Sequence, residues 1–209
     1  MIDKIKNIFM NREEEMIGTY NKSAVMILLC EENDKTNIIF EVRSLNLRHQ
    51  PGDICLPGGK IEKNETPQEA SIRESMEELN LKREDIEFIG NMDYIVTPYN
   101  FIIYPFIARI TKSEINPNNS EVDHVFKVPL QFFLENYPKL YQLSITSDPG
   151  DEFPYHLIRN GKNYKFRTGK VPEYFYKYDN YIIWGFTALI IKAFVDIIKN
   201  DAKKEGHLI

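Results

Sequence analysis

Gly58-Gly-Lys-Ile-Glu-Lys-Asn-Glu-Thr-Pro-Gln-Glu-Ala-Ser-Ile-Arg-Glu-Ser-Met-Glu-Glu-Leu-Asn-Leu81 runs from a glycine turn into a capped helix and out again. Thr66 is a good N-cap, Pro67 occupies the first helical position, and Glu69 completes a Thr-x-x-Glu capping box. Ile72, Met76 and Leu79 recur at i, i+4 and i+7, which predicts a helix over 66–79 with those three facing a core. Asn80 is placed to leave the helix in the left-handed conformation. Glu74, Glu77 and Glu78 stand at i, i+3 and i+4 and share one helix face. Like charges at this spacing cost a few tenths of a kcal/mol per pair in an exposed helix. A hard divalent cation that prefers oxygen ligands relieves that repulsion. Taken alone, the three glutamates also read as a solvated acidic face offset by surface bases. Two neighbouring features favour the ligand reading. Gly58-Gly59 lets backbone approach a ligand or metal closely, and Arg73 can reach Glu69 or Glu77 and hold a carboxylate in one geometry.

Upstream of this segment, Lys22–Glu31 and Asn37–Arg43 are β-rich and flank an Asn33-Asp34-Lys35 turn, which predicts a hairpin. Ser44–Gly59 carries Pro51-Gly52 and Pro57-Gly58-Gly59 and reads as loop. Residues 1–18 have Ile2, Ile5, Ile8 and Phe9 at helical spacing and read as an amphipathic helix; residues 1–20 are expected to be an extension of a single domain over 1–209. Downstream, Glu87–Val96 and Phe101–Ile110 read as strands around Thr97-Pro98-Tyr99-Asn100. Lys112–Asn119 is a polar loop and Pro129–Tyr137 a short helix. Tyr141–Thr146 and Tyr155–Arg159 are β candidates. Asn160-Gly161 predicts a hairpin turn before Asn163–Arg167. Tyr181–Lys199 begins as a strand or turn and becomes a helix after Gly185. Strands with a few helices predict an α+β class.

The chain has 209 residues, 43% hydrophobic and 27% charged, which excludes a disordered chain and matches one ordinary domain. Lys plus Arg is 26 and Asp plus Glu is 31, so 26 − 31 leaves −5, without the basic charge of a general nucleic-acid binder. An acidic ligand remains accessible through a few Arg or a metal. The longest apolar run, around Tyr181–Ile191, falls short of the ~20 residues a membrane helix needs. No signal peptide is visible at Met1, and Gly206-His207-Leu208-Ile209 carries neither a peroxisomal nor a lipidation signal. Cys30 and Cys55 read as reduced thiols, Cys55 as a small buried hydrophobe, and the expected compartment is cytoplasmic.

From Gly59 onward the segment resembles the Nudix box, G-x5-E-x7-R-E-U-x-E-E-x-G-U with U aliphatic. Gly59, Glu65, Arg73, Glu74, Glu77, Glu78 and Leu81 fall in register; Ser75 and Asn80 depart from it. Arg43-Ser44-x3-Arg48-x3-Gly52-x3-Leu56-Pro57-Gly58-Gly59 is similar to the motif upstream of the box in Nudix coenzyme A diphosphatases, with Leu56 in place of Phe. Glu121-Val122-x3-Phe126-x-Val128-Pro129-Leu130 and Ile183-Trp184-Gly185-Phe186-Thr187-Ala188 resemble that subfamily too. Trp184 and Phe186 read equally well as core residues at a strand–helix junction.

The resemblance implies the Nudix α/β/α sandwich, a mixed β-sheet between helices with a loop–helix–loop box. It implies hydrolysis of the diphosphate of coenzyme A or acyl-coenzyme A, or alternatively of ADP-ribose or NADH. A module that senses a nucleotide without cleaving it typically lacks box carboxylates, and here all are present. The implied metal is Mg²⁺ or Mn²⁺ on Glu74, Glu78 and Glu77, with Arg73 orienting the carboxylates. Glu74 or Glu121 is the implied base. Arg43 and Arg48, beside Gly58 and Gly59, suit a phosphorylated substrate because guanidinium binds phosphate in a bidentate way. The expected partner is therefore a small nucleoside diphosphate of the coenzyme A class, with no nucleic acid and no membrane.

Overall fold

The computed structural model describes residues 1–112 and 114–205. The C-terminal segment 206–209, read above for sorting signals, lies outside the described residues. In chain order the elements are α1 (Ile2–Phe9), β1 (Asn21–Glu32), β2 (Lys35–Arg43), β3 (Ile54–Cys55), β4 (Gly58–Lys60), α2 (Pro67–Leu79), β5 (Ile86–Asn91), β6 (Ile95–Val96), β7 (Phe101–Ile110), β8 (Val122–Pro129), α3 (Leu130–Glu135), β9 (Lys139–Ile145), β10 (Gly169–Tyr178), β11 (Tyr181–Trp184) and α4 (Gly185–Glu205).

The main sheet runs β3-β2-β1-β7-β5, with β4 added to β1, β6 to β7 and β8 to β2. The β1–β7 pair is parallel and the others are antiparallel, so the sheet is mixed. Side chains alternate across it. Ala24, Met26 and Leu28 of β1 and Ile39 of β2 face Ala70, Ile72 and Leu79 of α2. Ile27, Ile38 and Phe40 face the other way and pack with Phe133 of α3 and Ile190, Ile191 and Phe194 of α4. This is the expected α/β/α sandwich. A second sheet, β11-β10-β9, packs Tyr176 and Ile183 onto the α3–α4 side of the core.

The capping box forms as read: the Glu69 amide donates to Thr66 Oγ1 (3.2 Å) and the Thr66 amide donates to Glu69 Oε2 (2.7 Å). Asn80 takes the left-handed conformation, φ 49° and ψ 44°. Ser75, the non-aliphatic box position, is fully buried and donates Oγ to the Ser71 carbonyl at 2.7 Å.

Several expectations are corrected. The N-terminal helix ends at Phe9 rather than 18, and Ile2, Ile5, Ile8 and Phe9 are all exposed, so its apolar stripe covers no core. The strand read over Glu87–Val96 divides into β5 and β6. The segment Tyr155–Arg159 is no strand but opens with a 3₁₀ turn at Tyr155–Leu157, and Asn160-Gly161 closes no hairpin. That loop is held by ring packing instead: Phe153 lies 5.0 Å from Tyr155 and 5.5 Å from Phe166 between centroids. The strand that pairs with β9 is β10, which starts at Gly169. Its Pro172 argues against a strand, and it lies in the half of β10 bordered by β9 alone.

Candidate active site

Strand β4 lays the glycine turn along β1, with Ala24 opposite Gly59 and Val25 opposite Gly58. Helix α2 crosses above that turn. The Gly58 amide donates to Glu78 Oε2 at 2.8 Å. Gly59 faces Glu74, and a Cβ added there would run into the Glu74 carboxyl group. Gly58 has φ +153°, and a Cβ there would collide with the Ala24 carbonyl oxygen and lie 2.6 Å from Val25 Cα. Each glycine thus seats one carboxylate of the helix, which is a backbone reason for both.

Arg73 is the hub of the helix face. Its Nε and Nη2 donate to Glu65 Oε2 (3.1 Å) and Oε1 (2.8 Å), a bidentate pair. Its Nη1 donates to Glu74 Oε1 (2.9 Å) and Glu77 Oε2 (3.3 Å), and Nη2 also reaches the Lys60 carbonyl (3.1 Å). Of the two contacts expected of Arg73, the one to Glu77 forms and the one to Glu69 does not, because Glu69 is engaged by the cap. Glu65 takes that place, and the hydrogen bonds from Arg73 hold its carboxyl below the ordinary range.

The three glutamates differ in environment. The Glu77 side chain is 54% exposed and that of Glu74 15%, whereas residue Glu78 is 4% exposed. Burial pushes the Glu78 carboxyl well up, and the neighbouring Glu41 charge adds to the effect. Burial also raises Glu74, against the lowering pull of Arg73.

Glu41 is the residue sequence reading passed over. It is 1% exposed on β2, with the same side parity as Ile39, so it points to the α2 face where an apolar residue would be expected. Cys55 Sγ donates to Glu41 Oε1 at 3.0 Å, while Glu41 Oε2 has no hydrogen-bond partner among the described residues. Burial raises Glu41 too. The signal was a charged residue at an inward position in Ile38-Ile39-Phe40-Glu41-Val42. Cys55 is half-buried rather than an inert core thiol, and the Glu41 contact and burial push its thiol up.

Glu121 precedes β8. Its carbonyl accepts from the Ser44 amide (2.8 Å), its amide donates to the Asn118 carbonyl (2.9 Å), and Asn118 Nδ2 reaches its carboxylate at 3.4 Å. Its charge adds, after burial, to the raised values of Glu41, Glu74 and Glu78, so it is within electrostatic reach of all three. Arg43, Gly58 and Gly59 line a groove of about 440 Å³, together with Tyr99, Trp184 and Phe186. Trp184, 43% exposed, and Phe186 are therefore groove walls and not core. Arg43 gives Nε and Nη2 to the His49 carbonyl at 3.4 and 3.5 Å. Arg48 is exposed on the 44–53 loop and does not line the groove.

The donor set suits a hard divalent cation. Glu74, Glu77 and Glu78 offer only oxygens, the orphaned and buried Glu41 oxygen lies beside them, and burial, with neighbouring carboxylate charge, raises Glu41, Glu74 and Glu78. Among the described residues no three acidic, His or Cys side chains close into a ready cage. Glu74 is turned to Arg73 and Glu78 to Gly58.

A mixed sheet between helices, with a glycine-seated and arginine-braced carboxylate helix on one face, defines a protein of the Nudix class. The NUDIX domain family matches residues 20–143, more than half of the chain, and the chain belongs to that family. It is similar to the peroxisomal coenzyme A diphosphatase NUDT7 of Mus musculus, 31% identical over 170 residues, 80% of this chain and 66% of the mouse protein. It is also similar to the mitochondrial coenzyme A diphosphatase NUDT8 of Homo sapiens, 26% identical over 182 residues, 84% of this chain and 69% of the human one. A crystal structure of a MutT/nudix family protein from Enterococcus faecalis shares the fold, with TM-score 0.54 and 14% identity over 95% of this chain and 70% of that one. Among the described residues no helix is long and apolar enough to cross a membrane.

Proposed function

We propose that this Nudix enzyme hydrolyses the diphosphate bond of coenzyme A or acyl-coenzyme A, giving 4′-phosphopantetheine or its acyl form and adenosine 3′,5′-bisphosphate. The observation that carries the reading is the union of one buried carboxylate cluster, seated on Gly58 and Gly59, with a groove that Arg43 lines. Similarity to two coenzyme A diphosphatases supports the substrate class.

Glu74, Glu78 and Glu77 would hold Mg²⁺ or Mn²⁺, which when bound neutralises diphosphate charge and acidifies the attacking water. The chain's own residues do the rest. Arg73 fixes Glu74 and Glu65, and the Gly58 amide orients Glu78. Arg43 contributes charge-assisted hydrogen bonds to the substrate's phosphates, with Arg48 on the adjoining loop. A water oxygen forms the new P–O bond, the bridging P–O bond breaks, and the water's proton passes to Glu121 or Glu74.

In this reading residues 1–209 act as one catalytic unit, with 1–20 as an extension. We place it in the cytoplasm on the strength of the two free thiols; the two relatives' names include peroxisomal and mitochondrial forms, and cell fractionation decides. The test of function is to incubate pure protein and Mg²⁺ with coenzyme A, ADP-ribose, NADH and diadenosine polyphosphates and identify the products by mass. Adenosine 3′,5′-bisphosphate from coenzyme A supports the reading. Preferential cleavage of ADP-ribose or NADH reassigns the substrate within the same chemistry.

A further inference from the structure

The second sheet has two unlike faces. One buries Tyr176 and Ile183 in the core. The other turns Tyr141 and Leu143 of β9, Phe175 of β10, and Ile182 and Trp184 of β11 outward around a cavity of about 590 Å³. That size lies within the usual 300–1,000 Å³ of small-molecule sites. Tyr141, Leu143, Ile182 and Trp184 are 42–56% exposed, so the chain itself leaves this apolar face uncovered. Phe175 and Trp184 stack at 5.8 Å to form its floor.

Three residues of this cavity, Leu143, Glu173 and Trp184, also line the groove beside Gly58 and Gly59. The two spaces therefore share a wall and lie side by side. Glu173 stands at the junction, and its Oε2 is buried with no hydrogen-bond partner among the described residues. A buried acceptor without a donor is costly, and a ligand N–H crossing from groove to cavity would satisfy it.

We infer that the β9–β10–β11 cavity receives the apolar arm of the substrate, with Glu173 at its mouth accepting a hydrogen bond from an amide N–H of that arm. This rests on the coenzyme A reading above, whose substrates join a diphosphate to an apolar chain through amide groups. The diphosphate lies in the groove by the carboxylates, the amide tether passes Glu173, and an S-acyl chain lies on Phe175 and Trp184. The wall shared with the groove, together with the orphaned acceptor at the neck, favours this occupant over a second copy of the chain.

Trp184 is the single tryptophan of the chain and lines both this cavity and the groove, so its fluorescence reports on their shared wall, and Ile182, which lines the cavity and not the groove, tells the two apart. S-octanoyl-pantetheine, which has the arm and no nucleotide, is titrated into the full-length protein while hydrolysis of coenzyme A is measured in parallel. The expected result is a saturable change in Trp184 emission. Its midpoint should rise at least about tenfold in Glu173→Leu, as for loss of a charged hydrogen bond, and similarly in Ile182→Asp. Both positions are partly exposed, and an unchanged melting temperature separates lost binding from lost folding; Tyr141→Ala serves if either variant unfolds. A protein that hydrolyses coenzyme A while Trp184 stays silent overturns the arm site and leaves the substrate reading standing. Unchanged midpoints in the variants overturn it as well. So does sedimentation showing a wild-type dimer that Ile182→Asp dissociates, which assigns the face to a second copy. A protein that leaves coenzyme A intact overturns the substrate reading, and the arm site falls with it.

Discussion

The Gly58 amide donates to Glu78 Oε2 at 2.8 Å across 20 residues of sequence, and this bond ties the turn before the helix to the helix's last turn. The bond lies in a buried setting, and it fixes one Glu78 oxygen while leaving the other for a ligand. Gly59 stands in the same relation to Glu74 through van der Waals contact. The two glycines therefore do different work, and substitution should separate them.

Gly58→Ala is expected to destabilise the fold. The new Cβ meets backbone at Ala24 and Val25, which cannot yield easily, and φ +153° is strained for any L side chain. Backbone strain of this kind costs about 1–3 kcal/mol, and each kcal/mol lowers Tm by about 2–4 °C in a chain of this size. Gly59→Ala meets only the Glu74 side chain, so Tm should change little while Mg²⁺-dependent turnover falls. Thermal melts and initial rates on both variants check the contrast. Equal melting temperatures for the two would contradict it.

The Arg73 hub predicts selective coupling. A double-mutant cycle of Arg73→Gln with Glu65→Gln, read by Mg²⁺ titration, should give a measurable but modest coupling, since solvent weakens the pair. The same cycle with Glu69 should be additive, because Glu69 caps the helix. Coupling to Glu69 and none to Glu65 would reverse the assignment.

That exchange shows where sequence reading reached its limit. The helix, its cap, its left-handed exit and the shared face of Glu74, Glu77 and Glu78 are local, and spacing fixes them. Glu65 and Arg73 are eight residues apart and meet only because the loop 61–66 folds back onto α2, which no helical period reports. Glu41 comes from β2 and Glu78 from α2, and only the packing of that helix on the sheet brings the two together. Of the second sheet, β9 and β11 are legible as the strands around Tyr141 and Tyr181, whereas Pro172 disguises β10, whose partner β9 lies beyond a long loop.

Stability should depend on pH with a definite sign. Burial, with the Glu41 charge beside it, pushes Glu78 up to about 9, and burial, with the Glu121 and Glu74 charges, pushes Glu41 up to about 7, from an ordinary 4.5. The folded chain then holds protons that the unfolded chain has released, so stability is full below the unfolded value and is lost as pH rises through the folded ones. With chelator present, Tm should fall from about pH 5 to about pH 9. Glu41→Gln should flatten the fall, since an amide carries no charge into the site. Mg²⁺ binds the deprotonated form, so the stabilisation it adds should grow with pH. A Tm that rises with pH in chelator would show the carboxylates to be stabilised as anions.

Glu78→Gln tests the cluster directly. An amide can still accept from the Gly58 amide through its oxygen, so the seat of the helix should survive, and relief of crowding should hold or raise Tm. Loss of the charge should remove most Mg²⁺-dependent turnover. Full turnover at ordinary Mg²⁺ would take Glu78 out of the site. In contrast, Glu121→Gln should lower kcat with KM and metal affinity unchanged if Glu121 is the base, and should leave kcat intact if Glu74 is.

Substrate choice turns on the two upstream arginines, which the fold treats differently. Arg43 lines the groove near Gly58 and Gly59, where the proposed function puts the diphosphate. Arg48 stands exposed on the 44–53 loop outside it, where only a group projecting from the nucleotide would reach. Coenzyme A carries such a group, the 3′-phosphate, and its dephospho form does not. A charged hydrogen bond contributes about 1.5–3 kcal/mol, so coenzyme A should exceed dephospho-coenzyme A by at least about tenfold in kcat/KM. Arg48→Ala should close that gap by slowing coenzyme A and sparing the dephospho form, whereas Arg43→Ala should slow both alike. Steady-state rates on the two substrates with the three proteins settle the matter. If Arg43→Ala alone closes the gap, the 3′-phosphate sits in the groove and the two roles are exchanged. If wild-type protein cleaves both substrates equally, neither arginine reads the 3′-phosphate.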